Sequence, residues 1–329
     1  MKPLVIYHKN CADGFGAAFA AWLKLGDEAE YIPFQYNQEL PNIYDVEDRE
    51  IYILDFSFPR ATMDTLFKIA KRVVWLDHHK TAFEMWCGGI PASGFYRYEA
   101  LATPDPDQHW VTLDNNKSGA MIAWEYFHPD KKVPMLIRHI DDYDRWQFKL
   151  EGTKEFSKAL WSYTPWSFEQ WCLFLTTLPE PYSLSDSDKW HEAEEAILDR
   201  YYNEGAAILR AHDRNVTAVV KGAGRSCCIF KDAYNTYDAI NARYNNTELL
   251  GLAANCPPHL SSDVGHQLAT QSGTYGLLWY INKEGKCLCS LRSNGDYDVS
   301  TIAKAFGGGG HKNAAGFEIS IATLLEWIK

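Results

Sequence analysis

At 329 residues, 46% hydrophobic and 23% charged, the chain has the composition of a globular protein long enough for two domains, and not of a disordered or fibrous one. A formal net charge of −11, with the excess acid in the first 212 residues, excludes a general phosphate-neutralising surface, so no duplex-DNA track is expected. No stretch approaches the ~18 uninterrupted apolar residues of a membrane span. The start Met1–Ile6 runs straight into His8 and Asp13 without a signal-peptide core, so a cytoplasmic protein with no membrane partner is expected.

In chain order, Leu4–Tyr7 predicts a strand, followed by a glycine-containing turn and an alanine-rich helix from about Gly16 to Leu25. Tyr31–Phe34 and Ile51–Leu54 predict further strands, then come a helix near Ala61–Ala70 and a strand at Arg72–Leu76. This alternation predicts an α/β fold, a doubly wound and mostly parallel sheet. Its ligand crevice should lie beyond the carboxyl ends of the strands, where Asp13, Asp55 and Asp77 each follow an apolar run. Residues 155–210 read as helical and aromatic-rich, with the charged run His191–Arg200.

Beyond this point the pattern changes to short strands: Val216–Val220, Cys227–Phe230, Leu249–Ala254, Tyr275–Tyr280 and Lys286–Arg292. Asn282-Lys283-Glu284-Gly285 between the last two is a hairpin-turn composition. The predicted organisation is a catalytic domain at 1–180, a helical linker at 181–212 and a smaller α/β domain at 213–329, with the active-site cleft between the domains. The eight cysteines form no C-x2-C pairs and read as free thiols.

Chemistry concentrates in a few places. Asp77-His78-His79, delivered by a strand, offers oxygen and nitrogen donors within one turn, which makes a metal platform. His8-Lys9-Asn10-Cys11-Ala12-Asp13-Gly14 follows the first strand, Asp55 follows the third, and Asp141-Asp142-Tyr143-Asp144-Arg145-Trp146 ends a helical run. Taken singly, each Asp reads as a turn residue or helix cap. Four clusters on successive elements of one α/β domain point instead to a shared cation site. Carboxylates mixed with imidazoles suit manganese, with magnesium or cobalt as substitutes, and this many acids admit two ions about 3.5–4 Å apart.

Gly307–Gly310 with His311 and Lys312, joined to Arg292, reads as a phosphate or terminal-nucleotide clamp in which Gly308, Gly309 and Gly310 open the backbone. Ser118 before Gly119-Ala120 reads first as a helix N-cap and second as a phosphate contact.

The ordered set His8…Asp13-Gly14, Leu54-Asp55, Asp77-His78-His79, Asp142 before Asp144-Arg145-Trp146, and Gly307–Phe317 resembles the DHH phosphoesterase superfamily in its form with a C-terminal DHHA1 domain. The resemblance implies His8, Asp13, Asp55, His78 and Asp142 as the metal shell, with Asp55 bridging and Asp77 among the metals. It gives His79 the scissile phosphate, as a donor to developing charge. His311, the glycine run and Arg292 would hold the far end of the substrate. Many such relatives carry another Asp in the first motif; here Asn10 or Ala12 stands there, and Asn10 keeps a carbonyl oxygen as a candidate ligand.

The expected function is therefore a two-metal phosphodiesterase cutting short single-stranded oligonucleotides, including dinucleotides, to mononucleotides. Catalysis would rest on His79 and Asp77, and the oligomeric state, homo-oligomer included, is left open. The alternatives are an exopolyphosphatase, or a phosphatase of phosphoadenosine phosphate or another nucleotide. A non-catalytic binding module would show missing ligands, and nearly all are present.

Overall fold

The computed structural model describes residues 1–35, 46–99, 109–175, 187–223, 225–229 and 249–328. The chain divides into two compact units, Met1–Leu209 and Arg210–Lys329.

The first unit runs β1 (Leu4–His8), α1 (Ala12–Leu25), β2 (Glu30–Phe34), β3 (Glu50–Leu54), α2 (Arg60–Ile69), β4 (Arg72–Asp77), α3 (Lys80–Cys87), β5 (Phe95–Glu99), β6 (Trp110–Asp114), α4 (Gly119–Phe127), α5 (Met135–Asp144), α6 (Thr153–Ser162) and α7 (Phe168–Cys172). Its sheet has the order β2-β1-β3-β4-β6-β5. All neighbours are parallel except the edge pair β5–β6. Strands buried on both faces carry apolar residues continuously. Val5, Tyr7, Tyr52, Leu54, Val74 and Leu76 pack with α1, α4 and α5 on one side. Leu4, Ile6, Ile51, Ile53, Val73 and Trp75 pack with α2 and α3 on the other. The sheet is doubly wound, as the alternation predicts. The chain leaves β1 for β2 on one side and returns to β3 on the other, so the strand order reverses between β1 and β3. That reversal opens the crevice where ligands bind in such sheets, and His8 and Asp55 stand at its two lips.

A helix, α8 (Ser187–Ala223), carries the chain from the first unit into the second. Val216–Val220, read from sequence as a strand, is part of it. The β-branched residues invite the strand reading, but Val216, Val219 and Val220 have i, i+3, i+4 spacing, and Val216 is buried against Ala254, Leu260 and Val264 with the other two packed beside it. Packing on one face overrides propensity here. Residues 181–186 of the predicted connecting segment, and Phe230, lie outside the described residues.

The second unit has a sheet of order β11-β12-β10-β9-β8-β7, built from β7 (Arg225–Ile229), β8 (Leu249–Asn255), β9 (Tyr275–Ile281), β10 (Cys287–Ser293), β11 (Gly309–His311) and β12 (Ala314–Ile319). Only β8–β9 is parallel. The β9–β10 hairpin closes on Asn282 and Gly285, with Asn282 N–H donating to Lys286 O at 3.0 Å and Gly285 at φ 78°. Among the described residues no helix is long and apolar enough to cross a membrane.

Candidate metal centre

The site in the first unit is assembled from strand ends and helix starts. Asp13 enters on the first turn of α1, Asp55 just past β3, Asp77 ends β4, and His78 and His79 follow it. Asp13, Asp55, Asp77, His78 and His79 are all buried, and His8 is part-buried.

Asp55 is the hub. Its Oδ1 lies 3.1 Å from His78 Nε2 and 3.7 Å from His79 Nδ1, and its Oδ2 lies 3.5 Å from His8 Nδ1. His78 Nε2 is also 3.4 Å from Asp13 Oδ2 and 3.7 Å from Asp144 Oδ2. Two groups with cation-binding spacing result, Asp13–Asp55–His78 and His8–Asp55–His79, and they share Asp55. Despite those approaches, neither oxygen of Asp55, nor Oδ2 of Asp77, completes a hydrogen bond among the described residues. Buried carboxylate oxygens without donors are costly. A divalent cation is the partner this mixed carboxylate and imidazole donor set fits.

The protonation balance points the same way. Burial would raise the Asp55 carboxyl, yet His78 and His8 hold it well below the usual carboxylate range. Burial, Asp55 and Asp144 push Asp13 well above that range, against the pull of His78 and the Ala120 amide. Burial alone would lower His78, but Asp144, Asp55 and Asp13 raise it well above the ordinary imidazole value. The cluster borrows protons to offset its own negative charge, the work a bound cation would take over.

Backbone conformation fixes the hub. Asp55 sits at φ 52°, a region open to Asp at modest strain. A Cβ on Gly119 would fall 2.5 Å from Asp55 Cβ, so the start of α4 must be glycine for the two to pack. A Cβ on Gly14 would fall 2.3 Å from the His8 carbonyl oxygen. The amides of Gly119 and Ala120 donate to Asp13 at 2.6 and 2.8 Å, so the N-terminus of α4 is already occupied by the Asp13 carboxyl group.

Asp77 plays a double part. Its Oδ1 accepts from the amides of His78 and His79 at 2.7 and 3.2 Å and meets His79 Nδ1 at 2.6 Å, while its buried Oδ2 completes no hydrogen bond among the described residues. Burial lowers the His79 imidazole, but Asp77 outweighs it and the net shift is upward. His79 is thus oriented and favoured as a proton-bearing donor.

Several sequence-predicted residues sit elsewhere. Asp142 does not face the cluster: its oxygens accept from Lys149 N at 2.8 Å, Leu150 N at 3.1 Å and Thr153 Oγ1 at 2.6 Å. Asp144 stands beside His78 instead. Residues two apart on a helix project to opposite sides, so the two acids cannot share a face. The motif Asp142-Tyr143-Asp144 does not say which faces the strands. The signal that does is Ile140, four residues before Asp144: it packs in the same core as α1, and a Cβ on Gly16 of α1 would lie 3.2 Å from its Cδ1. Asn10 is exposed, at φ 56° in the turn after β1. Ser118 is a fully buried N-cap whose hydroxyl accepts from Met121 N at 3.3 Å, the first of its two sequence readings.

In the second unit, Gly309 and Gly310 with His311 form an edge strand paired to β12, Gly309 opposite Gly316 and His311 opposite Ala314. A Cβ on Gly308 would lie 2.0 Å from the Gly316 carbonyl oxygen, so this glycine serves close backbone approach. Lys312 pairs with exposed Asp296 at 2.7 Å. Arg292 on β10 donates to Leu291 O at 2.9 Å and Ser262 Oγ at 3.1 Å.

Residues 262–328 match the family described as the DHHA1 domain. Over 334 aligned positions, 96% of this chain and 67% of the relative, the protein is 28% identical to uncharacterized protein R106 of Acanthamoeba polyphaga mimivirus. Three solved structures are similar at low identity. An exopolyphosphatase-related protein from Bacteroides fragilis is 12% identical, covering 99% of this chain and 90% of that one, with TM-score 0.41. RecJ in complex with Mn2+ from Thermus thermophilus is 13% identical with TM-score 0.41, and this chain spans half its length, with 99% of this chain covered. A pGpG-specific phosphodiesterase, PggH, from Vibrio cholerae is 12% identical, covering 98% and 94%, with TM-score 0.38.

Proposed function

Since the chain carries a DHHA1 domain behind an Asp-His-His cluster, we propose that it is a metal-dependent phosphoesterase that hydrolyses short oligonucleotides, dinucleotides included, to mononucleotides. The observation that carries the reading is Asp55, whose two buried oxygens complete no hydrogen bond while His78 approaches one and His8 the other, at 3.1 and 3.5 Å, and whose group with Asp13 and His78 has cation-binding spacing. Asp13, Asp55, Asp77, His8 and His78 would hold the cations, with Asp144 in the place the sequence reading gave to Asp142. Two divalent ions at such a site supply an activated water and offset charge on a phosphoryl centre.

The chain's own groups then have separate tasks. Asp77 orients His79 and favours its charged form, so His79 presents a donor to a phosphate oxygen as negative charge develops there. Asp13, anchored on the start of α4, fixes the cluster to the sheet. Short substrates are favoured because the first unit is strongly acidic and the second near neutral, which leaves little attraction for a long backbone. The test is hydrolysis by purified protein with Mn2+ of dinucleotides, a long single strand, phosphoadenosine phosphate and polyphosphate. Fastest turnover on dinucleotides supports the reading. Preference for the long strand or for polyphosphate overturns the substrate, and no hydrolysis of any of them overturns the reaction.

A further inference from the structure

A cavity of about 100 Å³ lies in the first unit against the metal-binding cluster, between the start of α1, the last turns of α5 and the face of α6. Asp13 and Asp144, the same carboxylates that approach His78, form part of its lining. The opposite walls are apolar, from Ile140, Phe156 and Leu160, and Trp161, 40% exposed, stands at the solvent side. Tyr143 completes the wall, its ring packed against those of Trp146 and Phe148 at 5.6 and 5.7 Å. Both of those residues adopt positive φ, 56° and 50°, which is strained for aromatic side chains and is the kind of backbone cost found where a side chain must be aimed.

Besides Asp13, Asp144, Cys11 and Tyr143, two further polar side chains belong to the lining. They are Ser157 and His139, and the bonds around His139 define the state of its ring. Thr153 has one hydroxyl proton and donates it to Asp142 Oδ2 at 2.6 Å. Thr153 Oγ1 must therefore accept from His139 Nδ1, 2.8 Å away. A neutral imidazole with its proton on Nδ1 has a bare Nε2, so this lining residue carries an acceptor.

We infer that this cavity is a subsite for a pyrimidine ring, the base of the nucleotide whose phosphate lies at the metal centre. The inference rests on the phosphoesterase reading of that centre and adds a base preference to it. Size favours the smaller ring: at about 100 Å³ the cavity is below the about 150 Å³ that encloses benzene, so a planar base enters only in part, and a six-membered ring leaves less of itself in solvent than a bicyclic purine. The polar pair matches the edge of either pyrimidine. Cytosine presents an amino donor beside a ring acceptor, and uracil an N–H donor beside a carbonyl, to be met by His139 Nε2 and the Ser157 hydroxyl. Phe156 and Leu160 supply the faces on which the ring packs.

The experiment titrates full-length protein, loaded with Mn2+, with CMP, AMP and ribose 5-phosphate by calorimetry. CMP should bind at least about tenfold more tightly than either of the others, about 1.4 kcal/mol. Ser157→Leu, which fills the cavity, and Trp161→Ala, which opens its exposed side and spares the core, should each bring the CMP to ribose 5-phosphate ratio toward one. Equal affinity for CMP and ribose 5-phosphate in the unaltered protein overturns the subsite, as does a ratio that survives both substitutions. AMP binding as well as CMP overturns the pyrimidine preference. Hydrolysis of bis(4-nitrophenyl) phosphate, which carries no base, is followed in parallel. Its absence counts against the phosphoesterase reading alone, because the binding ratio is read without turnover.

Discussion

Exchanging the roles of Asp142 and Asp144 gives the sharpest test of the site. The Asp142 carboxylate, 5% exposed, accepts three hydrogen bonds that tie the end of α5 to residues 149 and 150 and to the start of α6. Burial would raise its pKa, but Thr153 and the two amides hold it below the usual range. Asp142→Ala strands three donors. Hydrogen bonds to a charged group contribute roughly 1.5–3 kcal/mol each and do not add fully, so the loss should be about 3–5 kcal/mol. At roughly 2–4 °C per kcal/mol for a unit of this size, the melting temperature should fall by roughly 6–20 °C. Asp144→Asn removes one charge from a crowded acidic cluster and no structural anchor. It should melt at or above the unaltered protein when metal-free, and bind Mn2+ at least about tenfold more weakly. Thermal melts with and without Mn2+, plus calorimetric titration of the metal, separate the two. If Asp142→Ala kept the melting temperature and lost Mn2+ while Asp144→Asn kept Mn2+, the assignment drawn from this geometry would be wrong.

Three further outcomes follow from the same contacts. Gly119→Ala would drive a Cβ to 2.5 Å from Asp55 Cβ, so Mn2+ affinity should fall by at least about tenfold, about 1.4 kcal/mol, with a smaller drop in melting temperature; titration of the metal checks it. Chelation should lower the melting temperature, since Mn2+ at about a hundredfold over its dissociation constant adds about 2.7 kcal/mol, and a melt that ignores EDTA would contradict the site. Burial, with Arg138 adding, pulls His139 down to about 4. Its folded value lies below the unfolded value of about 6.5, so the unfolded chain binds the extra proton, and stability present above about pH 6.5 is lost as pH falls toward 4, by at most about 3 kcal/mol. Urea unfolding of the protein and of His139→Gln between about pH 7 and 4 should show a shallower decline in the variant.

The sequence revealed the fold wherever the pattern was continuous. Buried parallel strands must be apolar on both faces, so β1, β3 and β4 stand out as uninterrupted runs, and each ends in the acid or histidine that it delivers to the crevice. The same logic points to Asp13, Asp55 and Asp77-His78-His79, which the structure buries beside one another. It failed where meaning depends on which side of a helix meets a partner. Asp142 and Asp144 are chemically alike, and only the packing of Ile140 toward α1 tells them apart. Val216–Val220 failed similarly, since β-branched composition suggested a strand while its spacing fitted a helix face.

The glycines teach the complementary point. Gly119 and Gly308 were read through the chemistry of their neighbours, as a helix start and a phosphate cradle, yet their first duty is steric. Gly119 lets α4 close on Asp55, and Gly308 lets the chain close on Gly316. At Gly119 the two readings converge, because the closeness that forbids a side chain also brings the Gly119 and Ala120 amides onto Asp13 and presses the hub against the helix start. Local strain at Asp55, close packing at Gly119 and the crowding of Asp13, Asp55 and Asp144 around His78 are separate costs borne at one place. A fold that needed only stability would shed them, for instance with a neutral amide at position 55, where Asn tolerates the same φ and keeps one acceptor. Asp55→Asn should accordingly leave the metal-free fold intact and abolish high-affinity Mn2+ binding. A variant that still bound Mn2+ as tightly as the unaltered protein would remove Asp55 from the centre of the site.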